Sequence, residues 1–146
     1  MLFKSIECEF YNCDAQNTAS CSGACQCKNG YYDYTCSIDC TCQRIQVSYN
    51  GVGVLTNRNG QDVSYVLGVY IRQTPTKNDR EWYLSEFDSG KYVLYYNPCA
   101  GFILASTTSL DECKGFFVDY NSALCALQSS WFAGDQTPRD IQIQCL

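Results

Sequence analysis

The sequence predicts a mainly β protein in two parts: a small disulfide-rich module over residues 1–44, then an antiparallel β-sandwich or barrel-like module over residues 45–146. Three observations carry this reading. Eight of the twelve cysteines crowd between Cys8 and Cys42. From residue 43 the cysteines stop until Cys99, and short β-rich runs follow one another at roughly ten-residue intervals with Gly, Asn or Pro between them, the spacing of a sandwich or barrel. Helix formers gather in one stretch only, NSALCALQ at 121–128.

Element by element, IECEF (6–10) alternates Ile6, Cys8 and Phe10 with Glu7 and Glu9 and reads as a short amphipathic strand. The run CSGACQCKNGYYDYTCSIDCTC (21–42) follows. The chain holds no His and no CxxC pair, so the usual zinc and thioredoxin-type arrangements lack their motifs. CxC packing of the metallothionein kind would need little core, whereas these cysteines are interleaved with Tyr31, Tyr32, Tyr34 and Ile38. Disulfides are the expectation, in the manner of secreted scaffolds that cannot build a sufficient core. The twelve are Cys8, Cys13, Cys21, Cys25, Cys27, Cys36, Cys40, Cys42, Cys99, Cys113, Cys125 and Cys145, an even count that permits complete pairing. Closure of the first eight among themselves leaves many pairings open. The spacing CxxxCxC occurs twice, at 21–27 and 36–42, so the segment is expected to hold two copies of one small hook.

In the second part, RIQVSY (44–49) points Ile45, Val47 and Tyr49 inward, and Asn50-Gly51 makes a turn. VGVLT (52–56) precedes NRNGQD (57–62), a second Asn-Gly turn; its oxygen side chains suggest calcium, but Val66 stands where an EF-hand would close with Glu. VSYVLGVYIR (63–72), EWYLSEF (81–87) and KYVLYYN (91–97) come next, the last two joined across Asp88-Ser89-Gly90. GFILAST (101–107), KGFFVDY (114–120), SSWFA (129–133) and DIQIQC (140–145) bring the module to about eight strands. Cys145, at the end of the last run, suggests a clamp on the C-terminus.

Two resemblances bear on class. CQCKNGYYDYTC (25–36), with its CxC, Gly30-Tyr31 and a last cysteine downstream, resembles the closing half of an EGF-like module, which implies a terminal hairpin at Asn29-Gly30. With Cys8 and Cys13 as earlier cysteines and Cys21 left over, the connectivity of that family is not carried across. Gly68 and Tyr70 in LGVY, Asn78 and Arg80 in KNDREWY, LYYN (94–97), Trp131 and the closing DIQIQC resemble a β-rich repeat of large surface and secreted proteins of protists and marine invertebrates. That resemblance implies an extracellular binding or structural role with no transferable catalytic residue.

Charge and composition exclude several classes. The net charge is −5 and no Lys/Arg cluster occurs, so no nucleic-acid partner is expected. The longest apolar runs are too short to span a bilayer as helix, so no membrane insertion is expected. MLFKSIECEF shows no apolar leader, and the cysteine usage favours a mature, processed, extracellular form over a cytosolic one. Without His the Ser-His-Asp and Cys-His arrangements are out, and among Glu81, Glu86, Asp88, Asp111, Glu112, Asp135 and Asp140 nothing singles out a catalytic pair. No catalytic residue, metal or cofactor is expected, and the chain is read as a non-enzyme.

The surplus is aromatic: twelve Tyr, seven Phe and two Trp. Such residues stack on sugars or anchor interfaces, and Trp82, Tyr83, Tyr92, Tyr95, Tyr96, Trp131 and Phe132 are the candidates. Strand neighbours point to opposite faces, so Tyr95 and Tyr96 cannot share one core. Low charge, many Tyr and an N-terminal strand around Ile6 and Phe10 lead to the expectation of an extracellular structural or adhesive protein that self-assembles by strand addition into a homopolymer. The alternative is a monomeric secreted module that binds a glycan or an extracellular protein.

Overall fold

The computed structural model describes residues 6–119, 125–128, 130–133 and 137–146. The chain divides into two compact units, one ending at Thr41 and one running from Cys42 to Leu146. The boundary therefore falls three residues before the expected one, and Cys42 belongs to the second unit.

The first unit begins with a helical turn, α1 (Ile6–Phe10), where the sequence suggests a strand. Five alternating residues are a weak period signal. Here Cys8 turns inward and is tied to Cys21, while Glu7 and Cys8 carbonyls accept from Tyr11 and Cys13 amides, closing helical turns. Ile6 and Phe10, four apart, are both solvent-exposed. Two small ladders follow: β1 (Thr18–Ser20) with β2 (Gln26–Cys27), and β3 (Tyr31–Tyr32) with β4 (Ile38–Asp39). Asn29-Gly30 does make a turn, with Tyr31 N–H donating to Lys28 C=O, but β2 and β3 on either side pair elsewhere, so the expected hairpin is absent. Asp33, at φ 72°, accepts from the backbone N–H and hydroxyl of both Thr35 and Ser37. Those donors, the Ser37 hydroxyl foremost, lower its carboxyl to about 2.

Sulfur is the core of this unit: Cys8, Cys21, Cys36 and Cys40 are all buried. The bridges are Cys8–Cys21, Cys13–Cys25 and Cys27–Cys36, so Cys21 is the partner of Cys8 and is not left over. The doubled CxxxCxC spacing is not a structural repeat. In its first copy all three cysteines bridge within the unit, whereas the last cysteine of the second, Cys42, joins Cys145. Cys40 and Cys125 are also disulfide-bonded, and no cysteine is free.

The second unit is an up-and-down antiparallel barrel. Its strands are β5 (Arg44–Tyr49), β6 (Gly68–Lys77), β7 (Arg80–Ser85), β8 (Tyr92–Asn97), β9 (Gly101–Ser106), β10 (Phe117–Val118), β11 (Trp131–Ala133), β12 (Pro138–Arg139) and β13 (Ile141–Cys145). Each pairs with the next through β12, and β13 returns to pair with β5. Since β12 and β13 are separated by Asp140 alone, the nine-stranded sheet nearly closes on itself. The clamp expected at Cys145 is present, and Leu146 N–H adds a hydrogen bond to Arg44 C=O beside it.

Period-2 alternation decides which residues fill the barrel. Ile45 and Val47 of β5, Tyr70 of β6, Tyr83 of β7, Leu94 of β8, Phe102 and Leu104 of β9, Phe117 of β10 and Trp131 of β11 form one buried cluster. Leu55, Val63 and Val66, from the connection after β5, join the same cluster. VGVLT is thus not a strand: Leu55 turns inward while Val52 and Val54 are exposed, and only a Thr56–Asp62 bridge closes the NRNGQD turn. On the outer face Val93 and Tyr95 of β8, Ile103 and Ala105 of β9 and Val118 of β10 make a second cluster, with Trp82 and Leu84 packed against it. Tyr95 and Tyr96 accordingly serve different clusters. Residues 121–124 of the helix expected over 121–128 lie outside the described residues; Ala126–Gln128 form one 3-10 turn.

Candidate functional site

Strand alternation puts three connections at the same end of the barrel: those after β5, β7 and β9. A cleft of about 460 Å³ lies between the first and third, lined by Asn57, Arg58, Asn59, Ser106, Lys114 and Phe116 among others. A second hollow of about 290 Å³ shares Ser106 and Phe116 with it and adds Tyr65, Lys91 and Tyr92. The two share a wall, and the larger falls within the size range of small-molecule sites.

Each wall is anchored. In the connection after β5, the Asn57 side chain accepts from the amides of Asn59 and Gln61. The Arg139 guanidinium reaches across from β12 to the carbonyls of Thr56 at 3.0 Å and Asn57 at 3.4 Å, which sets the height of the Arg58 turn. Tyr65 sits on a 3-10 turn whose Val66 carbonyl receives the Tyr70 hydroxyl at 2.6 Å. The connection after β9 is fastened harder. The Tyr95 hydroxyl donates to Glu112 C=O and accepts from Asp111 N–H. Lys77 Nζ pairs with Asp111 at 2.7 Å, and Cys99–Cys113 ties the same loop to the turn between β8 and β9. Gly115 lies so close to β9 that a Cβ would stand 2.7 Å from the Leu104 carbonyl oxygen.

The floor is aromatic. Tyr65, Tyr92 and Phe116 meet pairwise with ring centroids 5.6 to 6.1 Å apart. Tyr92 is buried, Phe116 half-buried, and Tyr65 is 46% exposed, so Tyr65 presents its ring to solvent. Lys91 Nζ lies 5.7 Å from the Tyr92 ring centroid, within cation–π range. Lys114 faces Glu112 at 3.4 Å, both side chains exposed.

Of the aromatic residues singled out in the sequence, Tyr92 lines the smaller hollow, and of the cysteines Cys113 lines the larger one. Trp82 packs on the outer-face cluster and donates its indole N–H to Pro75 C=O at 2.8 Å. Tyr83 is buried and donates to Cys42 C=O at 2.9 Å. Burial, offset in part by the Arg72 guanidinium and reinforced by Glu81, pushes its hydroxyl up to about 12. Tyr96 is half-buried against Phe102 with the Arg80 guanidinium 5.0 Å from its ring. Trp131 fills the barrel, and Phe132 next to it is half-buried. Tyr83, Tyr92, Tyr95 and Trp131 are thus buried, while Trp82, Tyr96 and Phe132 are half-buried.

Several of the carboxylates weighed in the sequence are held by neighbouring groups. Glu86 pairs with Arg44 and Asp111 with Lys77; Glu81 is buried with Arg72 3.7 Å away; Asp140 accepts from Gln142. Asp135 lies outside the described residues. The one grouping of potential metal ligands among the described residues, Cys8, Cys13 and Cys21, consists of disulfide sulfurs.

Sequence reasoning reached Asn57 and Asn59 only as oxygen side chains of the NRNGQD turn, and missed Arg58, Tyr65, Lys91, Lys114 and Phe116. The signal that would find them is topological: in a meander, alternate connections converge at one end. No protein-family model, curated protein or solved structure matches the chain.

Proposed function

We propose that the protein is an extracellular binding module whose ligand is a saccharide seated in the cleft at the loop end of the barrel. The observation that carries this reading is the pair of adjoining hollows of about 460 and 290 Å³, the smaller lined by Tyr65, Tyr92 and Phe116 and the larger reached by Phe116. A solvent-facing tyrosine ring stacks on a sugar face at little entropic cost, while Asn57, Asn59 and Ser106 supply polar groups for hydroxyls. Complete pairing of the cysteines and the absence, among the described residues, of a helix long and apolar enough to cross a membrane support an oxidising, extracellular setting.

Assembly by strand addition has less to rest on. The segment expected to donate a strand, Ile6–Phe10, is helical, and the receiving sheet runs nearly into itself. The test is titration calorimetry against a panel of neutral and acidic oligosaccharides. At least one should bind saturably; Tyr65→Ala should weaken it about tenfold, and Trp82→Ala, on the outer face, should leave it unchanged. A panel without saturable binding, or binding indifferent to Tyr65→Ala, overturns the reading.

A further inference from the structure

We infer that the cleft selects an acidic glycan, one carrying sulfate or carboxylate groups; this rests on the reading of the cleft as a saccharide site. The chain has ten Lys and Arg against fifteen Asp and Glu, and its pI is near 4.5. The charged groups lining a cleft placed at random on such a surface would be carboxylates more often than cations, in the ratio of fifteen to ten. Among the described residues that line these hollows the reverse holds: Arg58, Lys91 and Lys114 are there, and no Asp or Glu is.

The three cations do not come from a basic run. Arg58 stands on the connection after β5, Lys91 at the end of the connection after β7 and Lys114 on the connection after β9. The barrel brings them to one end from sites more than twenty residues apart in sequence. Each is exposed. Lys91 leans over the Tyr92 ring. Lys114 has an exposed carboxylate partner in Glu112, and a solvent-exposed pair of that kind holds its ammonium weakly, so a ligand anion can take its place. Cations on separate walls around an aromatic floor suit a sugar whose ring stacks on Tyr65 while its anionic substituents reach the rim. Duplex nucleic acid fits poorly, since three cations in a chain of net charge −5 offer few phosphate contacts.

The experiment uses the full chain and three probes: a sulfated glycosaminoglycan hexasaccharide, the same oligosaccharide made neutral by desulfation and carboxyl reduction, and sodium sulfate at matched ionic strength. The sulfated probe should bind at least about tenfold more tightly than the neutral one, and its affinity should fall as salt rises. Arg58→Gln, Lys91→Gln and Lys114→Gln should each weaken it about three- to fivefold, with Tyr65→Ala weakening both oligosaccharides. Equal binding of the neutral and sulfated probes, still lost in Tyr65→Ala, overturns the charge selection and leaves the saccharide site standing. Binding of the sulfated probe undiminished in the triple Gln variant overturns the charge selection as well and places that contact elsewhere. Displacement of the probe by sulfate ion alone assigns the cleft to a small anion and overturns the inference, and no binding of either oligosaccharide removes both readings.

Discussion

At the scale of single residues, the barrel interior holds hydroxyls whose ionisation the fold resists. Tyr83 donates to the Cys42 carbonyl inside the barrel, and its hydroxyl is pushed up to about 12, chiefly by burial. Burial raises Tyr70 in the same direction, with Tyr92 adding to it. A folded-state value above the unfolded one, near 10 for tyrosine, makes a stabilising contribution that is complete below pH ~10 and disappears as pH rises through the folded value. The expected outcome is an ultraviolet titration with a late phase, from Tyr70 and Tyr83, that coincides with loss of near-ultraviolet circular dichroism. A single phase centred near pH 10 with the fold intact would show that Tyr70 and Tyr83 are not held as described. Tyr83→Phe should cost about 1 kcal/mol in denaturant unfolding, because it leaves the Cys42 carbonyl short of one donor.

At the scale of elements, the connection after β9 is the part of the site most dependent on its neighbours. Gly115 is there because a Cβ would meet Ile103, the Leu104 carbonyl and Ala105 on β9. Gly115→Ala should push the loop off the sheet, costing about 1–3 kcal/mol, and should displace Lys114 and Phe116 on either side. The check is twofold: lower thermal stability, and saccharide affinity reduced at temperatures where the fold remains intact. Unchanged affinity in a folded Gly115→Ala variant would mean that the loop does not shape the cleft. The same loop shows why the site was hard to see in advance. The alternation in RIQVSY and the short apolar runs in KYVLYYN and GFILAST name their own strands, and the opposed placement of Tyr95 and Tyr96 follows from strand geometry, because these are local properties. What Arg58, Lys91 and Lys114 share is non-local, set by the order in which strands pair. IECEF misled for the related reason that five alternating residues carry too little period to outweigh a buried bridge at Cys8. VGVLT misled because Leu55 reaches the core from a loop.

At the scale of the whole barrel, the seam decides stability. A meander closes only where its last strand meets its first, and here β13 lies on β5 with Ile141 opposite Tyr49 and Cys145 opposite Ile45. Cys42–Cys145 fastens that seam across a sequence separation of 103, whereas Cys99–Cys113 spans 14. Loop-closure entropy makes a bridge over ~100 residues worth about 4–5 kcal/mol and one over ~15 residues about 3 kcal/mol. The double substitution Cys42→Ser, Cys145→Ser should therefore lower the melting temperature more than Cys99→Ser, Cys113→Ser does. The stronger discriminator is where the loss appears. Without the seam bridge, hydrogen exchange should quicken in β13 and β5 ahead of β8 and β9, because β13 is an edge strand held by β5 alone and its loss leaves β5 as the new edge. Without Cys99–Cys113, those two strands should keep their protection, and saccharide affinity should fall because the cleft wall carrying Lys114 has lost its tether. Equal melting losses with uniform exchange in both variants would mean that the barrel does not open at β5 and β13, and that its stability is spread evenly around the sheet.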